Sequence, residues 1–262
     1  GEVMQIDPEL IRITRPNSLE SLPGNSPVGS RMAIMLGGAA ARAGEKLKAK
    51  IMAIAAHRLG VAIDQLHYEG GDVFANDGRR FTWDEMVELA HRQYHNLPDG
   101  MDPGLASFDI MQVPTGDALP VDDKVQMYPC YSFEFHLLLV SFDPIIGRPD
   151  IHSYVIGHDC GTVINPAIVS GMTYGGIAHG IGAALFEEFA YDTNGQLLTQ
   201  SFLDYLMPSS HEVPAIQIVK HCTPSPHTVF GQKGSGESGY LGAPAAVSGA
   251  INDAVSGLGI HF

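Results

Sequence analysis

The chain has 262 residues, 45% of them hydrophobic, with 30 glycines and 17 prolines, enough for one large or two modest domains with a sizeable core and many tight turns. It carries 15 Lys and Arg against 29 Asp and Glu, a formal charge of -14, with no basic cluster; this excludes a nucleic-acid surface, which needs a basic footprint. The three cysteines, Cys130, Cys160 and Cys222, are dispersed and form no CxxC pair or zinc spacing, so a reducing, cytoplasmic compartment is expected. Nothing reads as a signal peptide or a membrane span. The opening GEVMQIDPEL has no initiator Met and the closing GLGIHF stops on apolar residues, so both ends read as cut from something longer or processed.

Glu9–Thr14 alternates as a short strand, and the Pro/Gly/Ser/Asn-rich stretch after it reads as a long loop delivering Gly29, Ser30 and Arg31 to a helix start. Met35, Ala39, Ala43, Leu47, Ile51, Ile54 and Ala55 recur at helical spacing and predict a helix over about 33–58. Gly60 sits where a closing glycine belongs. Gly37–Gly38 inside that helix costs helicity, which makes sense if another segment or a ligand crosses closely there. His67–Phe74 reads as one strand, Asn76-Asp77-Gly78 as a turn, and Thr82 with Glu85 as a capping box opening a helix to about His95. Leu97–Pro120 is rich in proline and glycine without periodicity, a crossover loop that divides the chain into lobes at 1–120 and 121–262.

Tyr131–Asp143 is the strongest strand signal; a turn through 144–149 and a strand His152–Gly157 complete a hairpin. HDCGTVINPAIVSG reads as a turn-rich bridge before a helix over about 172–188, small and apolar nearly all round and therefore buried on several sides. An Asn-Gly turn, a strand Ile216–Val219 and a final helix Pro244–Val255 follow. Strands and helices intersperse without a βαβ rhythm, so the expected class is α+β.

The glycine-dense stretch FGQKGSGESGY, 230–240, sets one lysine and one glutamate among small residues. Such backbone admits close approach of a large ligand. Burial in a glycine-lined cavity would raise the pKa of Glu237 and suit it to proton abstraction. Lys233 reads either as a cofactor contact or as a loop staple. The loop is not a phosphate-cradling GxxxxGK[ST] motif, because Lys233 precedes its second glycine. The 12 histidines form no HExxH or other ligand spacing and read as hydrogen-bonded side chains. Asp159 is placed to cap a turn beside Gly161, and Glu134 and Glu187–Glu188 read as solvated or salt-bridged.

Five blocks occur together in order: GSR at 29–31 with Gly37-Gly38-Ala39, HDCGTVINPAIVSG at 158–171, GGIAHGIGAALFEE at 175–188, SFLDYLMP at 201–208 and TPSPHTVFGQKGSGES at 223–238. As a set the chain resembles the molybdenum hydroxylases, the family of xanthine oxidase, aldehyde oxidoreductases and aerobic carbon monoxide dehydrogenase, over the second half of their large molybdopterin-binding subunit. The resemblance implies two mixed α/β lobes of the second molybdopterin-binding domain. It implies a molybdopterin-type molybdenum cofactor, including its cytosine dinucleotide form, held without a protein ligand to the metal. Glu237 would be the general base, taking a proton as a metal-bound hydroxyl attacks an electron-poor carbon and hydride passes to a sulfido ligand. Gly29, Ser30 and Arg31 would meet the molybdenum end, with Lys233, Gly234, Ser235 and Gly236 shaping the wall.

The family usually has Gln where this chain has Met172, and a thioether accepts only weakly and cannot donate. Thr173 or the helix backbone compensates, or the metal's electronics differ. The implied substrate is a small heteroaromatic, aldehyde or acyl-CoA compound, with carbon monoxide or a non-catalytic assembly role as alternatives. Implied partners are the remaining half of the subunit, a [2Fe-2S] protein and an FAD flavoprotein.

Overall fold

The structure, a computed structural model, describes residues 1–14, 17–19, 28–113, 122, 124 and 128–261. The loops read at 15–28 and 97–120 therefore lie partly outside the described residues. The chain gathers into two compact units, 1–26 with 35–112 and 27–34 with 113–262. The second unit thus takes in the Gly29–Arg31 turn as well as the C-terminal part of the chain.

Helix α1, Met32–Leu59, follows its predicted bounds. It closes on Gly60 at φ 65°, with Val61 N donating to Ala56 O at 3.2 Å, the six-to-one bond of a Schellman end. The close crossing expected at Gly37–Gly38 is Met111, whose Sδ would lie 2.7 Å from a Cβ at Gly38. Strands β1 (Leu66–Glu69), β2 (Asp72–Ala75) and β3 (Arg80–Phe81) form an antiparallel sheet in that order. The single strand expected at His67–Phe74 is thus a hairpin. Gly70 and Gly71, at φ 60° and 97°, supply the two positive φ angles that a tight turn matching strand twist requires.

Helix α2, Trp83–His91, opens on the predicted capping box, with Thr82 and Glu85 each satisfying the other's backbone N–H. It ends before His95, and Tyr94–Asn96 forms a separate 3-10 turn. Ile51, Ile54, Val73, Phe81, Met86 and Leu89 fill the core of the first unit. The strand expected at Glu9–Thr14 is absent: Pro8–Leu10 is a 3-10 turn capped by the Asp7 carboxylate, and 11–14 pair with no strand.

In the second unit β4 (Phe133–Asp143) and β5 (Arg148–Asp159) form the expected hairpin, β4 starting two residues later than expected and β5 extending further at both ends. Strand β6 (Ile216–His221) joins the other side of β5 in parallel. Helices α3 (Pro166–Leu185) and α4 (Ala243–Val255) pack together. Tyr154 and Ile156 of β5 meet Ile177 and Ile181 of α3 and Ala243 and Val247 of α4, all inaccessible. Complete burial of each large apolar side chain contributes about 1.5–3 kcal/mol.

Helix α3 begins six residues ahead of the expected 172. Asn165 accepts from Ala167 N and Ile168 N, and Pro166 occupies the first turn, so INPA was a start signal rather than a bridge. Gly176 and Gly180 let the Ser238–Tyr240 backbone and Ala243 lie directly on the helix. The α+β class is as expected. No helix among the described residues is long and apolar enough to cross a membrane.

Candidate functional site

Two turns far apart in sequence meet in the second unit. Gly29 and Ser30 are consecutive left-handed residues, at φ 72° and 57°, an uncommon conformation for a serine. Gly234 permits their approach, because a Cβ there would stand 2.5 Å from Ser30 O. Ser30 Oγ donates to Glu237 Oε2 at 2.6 Å and accepts from Glu237 N at 3.0 Å. The serine hydroxyl therefore fixes both the backbone and the carboxylate of the glutamate singled out by the sequence. The buried Gln232 reinforces the junction: its Nε2 donates to Ala33 O at 2.9 Å and its Oε1 accepts from Phe230 N at 2.9 Å.

These turns line a cleft of about 580 Å³ with Tyr128, Cys130, Tyr131, Ser132, Glu134, His136, Ser238, Leu241 and Gly242. Glu237 is exposed on its wall rather than buried as expected. The physical reason is that the Ser30 clasp holds the carboxylate at the lip of an open cleft, with Gly236 beside it covering nothing.

Lys233 lies behind the wall. Its Nζ donates to Asp159 Oδ2 at 3.1 Å and to Thr223 Oγ1 at 2.6 Å, with Lys233 N on Cys160 O at 2.8 Å. Asp159 also accepts from Gly161 N at 2.8 Å, Thr223 N at 3.1 Å and the Thr223 hydroxyl. Burial alone would raise the Asp159 carboxyl, but the Thr223, Gly161 and Lys233 donors outweigh it and hold it far below the usual range. Of the two roles left open for Lys233, this geometry is that of a staple, joining the end of β5 to the glycine-rich loop.

On the floor of the cleft Glu134 Oε1 accepts from Gly239 N at 2.8 Å, and His136 Nε2 donates to Glu134 Oε2 at 3.1 Å. The Tyr154 hydroxyl then donates to His136 Nδ1 at 2.8 Å. Burial pushes that phenol well above its ordinary pKa, with the Glu134 charge adding to it. For Glu134 itself, burial works upward, yet hydrogen bonds from His136, Gly239 and Ser238 leave the carboxyl below its ordinary value. Burial lowers His158 despite the nearby Glu134 and Asp159. Its Nε2 and Ser238 Oγ share a hydrogen bond of 2.9 Å.

Of the residues expected at the site, Gly29, Ser30, Gly234 and Glu237 line the cleft together. Arg31, Lys233, Ser235, Gly236, Met172 and Thr173 do not. Thr173 is inaccessible and its hydroxyl donates to Val169 O at 2.9 Å inside α3. Met172 is half-buried beside it. Ser235 Oγ is buried without a hydrogen-bond partner, an unusual state for a hydroxyl next to a cleft.

Glu134, read only as solvated or salt-bridged, and His136 were not picked out as residues of the site. Their signal was the pair of polar residues two apart in the otherwise apolar FEFHLLLV, on one face of a strand. Among the described residues no group of three His, Cys, Asp or Glu side chains is arranged to hold a metal ion.

The chain belongs to the molybdopterin cofactor-binding domain family, which it matches over residues 1–214. The resemblance to molybdenum hydroxylases carried by the five blocks is borne out. The chain is 34% identical to the nicotine 6-hydroxylase large subunit of Paenarthrobacter nicotinovorans, over 99% of its own length and 30% of the relative's. It is 31% identical to the carbon monoxide dehydrogenase large chain of Hydrogenophaga pseudoflava, over 97% of its length and 30% of the relative's. The crystal structure of a Cu,Mo-CO dehydrogenase in its carbon monoxide reduced state superposes with a TM-score of 0.79 and 30% identity, covering 92% of this chain and 29% of that one. The chain therefore spans less than one third of the length of these relatives.

The residues present fit such a cofactor. An unpaired buried Ser235 hydroxyl stands between two glycines, and the adjoining cleft has walls that come as close as backbone allows.

Proposed function

We propose that this chain is the base-bearing part of the cofactor-binding subunit of a molybdenum hydroxylase, which oxidises a small organic substrate. The observation that carries the reading is the Glu237 carboxylate, held at 2.6 Å by Ser30 on the lip of a cleft walled by Gly29 and Gly234. The cofactor, when bound, supplies the two-electron chemistry of hydroxylation. Gly29, Ser30, Arg31, Gly234, Ser235 and Gly236 would border it, with Met172 at the adjoining helix. Thr173 and Lys233, whose polar atoms are engaged inside the protein, would support that wall from behind.

Glu237 has one oxygen on Ser30, which leaves the other free to accept a proton from the reacting group. A base positioned in this way contributes typically 10²–10⁴-fold. The likeness to nicotine 6-hydroxylase supports an N-heteroaromatic substrate, beside aldehyde and acyl-CoA compounds. We assign the two compact units as the two lobes of the molybdopterin-binding domain, and the dinucleotide form as the cofactor. The remaining part of the subunit, a [2Fe-2S] protein and an FAD protein are the proposed partners, in the cytoplasm.

The test is Glu237→Gln in the purified holoenzyme, with molybdenum and pterin assayed beside turnover. The expected outcome is a loss of turnover of about 10²-fold or more with cofactor content unchanged. Turnover at the wild-type level, or a fully active wild-type complex without molybdenum, overturns the assignment.

A further inference from the structure

A carboxylate on an exposed glycine-rich loop has no fixed position of its own, and a catalytic base must be placed to within a fraction of an ångström. Ser30 grips Glu237 from the front. The two residues that follow the base are gripped from behind. Ser238 Oγ shares a hydrogen bond of 2.9 Å with the His158 ring and is among the groups that lower the Glu134 carboxyl. Gly239, at φ 84°, gives its N–H to Glu134 Oε1 at 2.8 Å. On its other side Gly239 has no room to retreat, because a Cβ there would lie 2.5 Å from Thr173 O and 3.1 Å from Ile177 Cγ1 of α3. Glu134 is held in turn by His136, whose ring occupies the space beside Gly242. Its side chain is only 13% exposed.

The geometry points to Glu134 as a positioning residue for Glu237: from β4 its carboxylate accepts the Gly239 N–H and, with Ser238, sets the angle at which the preceding glutamate enters the cleft. The inference rests on Glu237 being the base, as proposed above. Both Glu134 oxygens are engaged inside the protein, so its role is to hold the turn. The needed property is an acceptor at Oε1, with charge secondary. A glutamine keeps that acceptor, and its amide donates to His136 Nε2 once the ring takes the Nδ1–H tautomer and gives that proton to the Tyr154 oxygen. A methionine of similar length does not.

The test compares Glu134→Gln and Glu134→Met in the holoenzyme, by steady-state kinetics and by amide hydrogen exchange of peptides spanning 233–242. Glu134→Met is expected to lower kcat by about 10–100-fold, as a displacement near 1 Å does, with KM changed less than about threefold and cofactor content retained. Exchange over 237–240 quickens in the same variant, because a local opening becomes cheaper. Glu134→Gln restores both kcat and exchange protection.

Wild-type kcat and exchange in Glu134→Met, or a Glu134→Gln variant as impaired as the methionine one, overturns the inference. Should the methionine variant fail to assemble, Glu134→Asp carries the same measurements, since its carboxylate falls one methylene short of Gly239. Glu237→Gln serves as the control that separates the two readings. If it retains full turnover the base assignment fails, while the exchange result still reports whether Glu134 holds the turn.

Discussion

Lys233 and Asp159 each keep only 7% of their side chains accessible, and each satisfies the other where water does not reach. Removing one charge of such a pair strands its partner and typically costs about 3–5 kcal/mol, whereas replacing both by apolar groups costs far less. Lys233→Met is therefore expected to destabilise the second unit by about 3 kcal/mol or more in urea unfolding, and Lys233→Met with Asp159→Asn, which removes the stranded charge but keeps an acceptor for Gly161 N and Thr223 N, to recover part of the loss. The same pair sets an acid limit. The Asp159 carboxyl is depressed in the folded state. Its contribution is complete above the unfolded carboxylate value near about 4 and is lost as pH falls through the lower, folded value. Acid titration of Asp159→Asn should show a smaller loss of stability below about pH 4 than the wild type does, and an equal loss would contradict this role.

At the scale of elements, α3 is the member on which the glycine-rich loop is laid. A Cβ at Gly176 would collide with the carbonyl oxygen of Ser238, a backbone atom that cannot swing aside. Gly176→Ala should therefore lower the midpoint of thermal unfolding by an amount corresponding to about 1–3 kcal/mol. A neutral result by calorimetry would show that the loop sits farther from the helix.

This is also where the sequence was most and least informative. The close packing of α3 at Gly176, Gly180 and Gly182 could be read directly, as could the capping box at Thr82, because local chemistry alone specifies them, whereas Gly175, read together with them, has open space beside it. The start of α3 was misplaced because Asn165-Pro166 serves equally well as a turn and as a cap. The β1–β2 hairpin was missed because Gly70-Gly71 interrupts a run that otherwise keeps strand character. Glu134 and the Lys233–Asp159 pair were invisible for a different reason. Their partners lie 105 and 74 residues away, and no window of sequence contains both ends. Glu237 was legible as a residue, but its exposure was not, since accessibility belongs to the assembled walls.

At the scale of the molecule, an apolar row runs along one face among the described residues. Phe133, Phe135, Leu137 and Leu139, on the outward face of β4, are 65%, 67%, 57% and 63% exposed. A row of large apolar side chains along an edge strand is an unusual way to face water. On the reading proposed above, in which the chain works with the remaining part of its subunit, that row would be a covered face. Phe135→Lys with Leu137→Lys should reduce self-association of the isolated chain in size-exclusion chromatography and weaken its recovery with the proposed partner chains. Unchanged recovery would place that contact elsewhere.

The bond between Ser30 and Glu237 spans 207 residues. During synthesis at about 5–20 residues per second, the serine leaves the ribosome roughly 10–40 s before the glutamate does. Until then the early turn has nothing to close upon, so a ligand needing both walls must wait until the glutamate has emerged. Loading of such a protein is thereby tied to synthesis of both walls, and nascent polypeptides that stop before Glu237 are excluded from it.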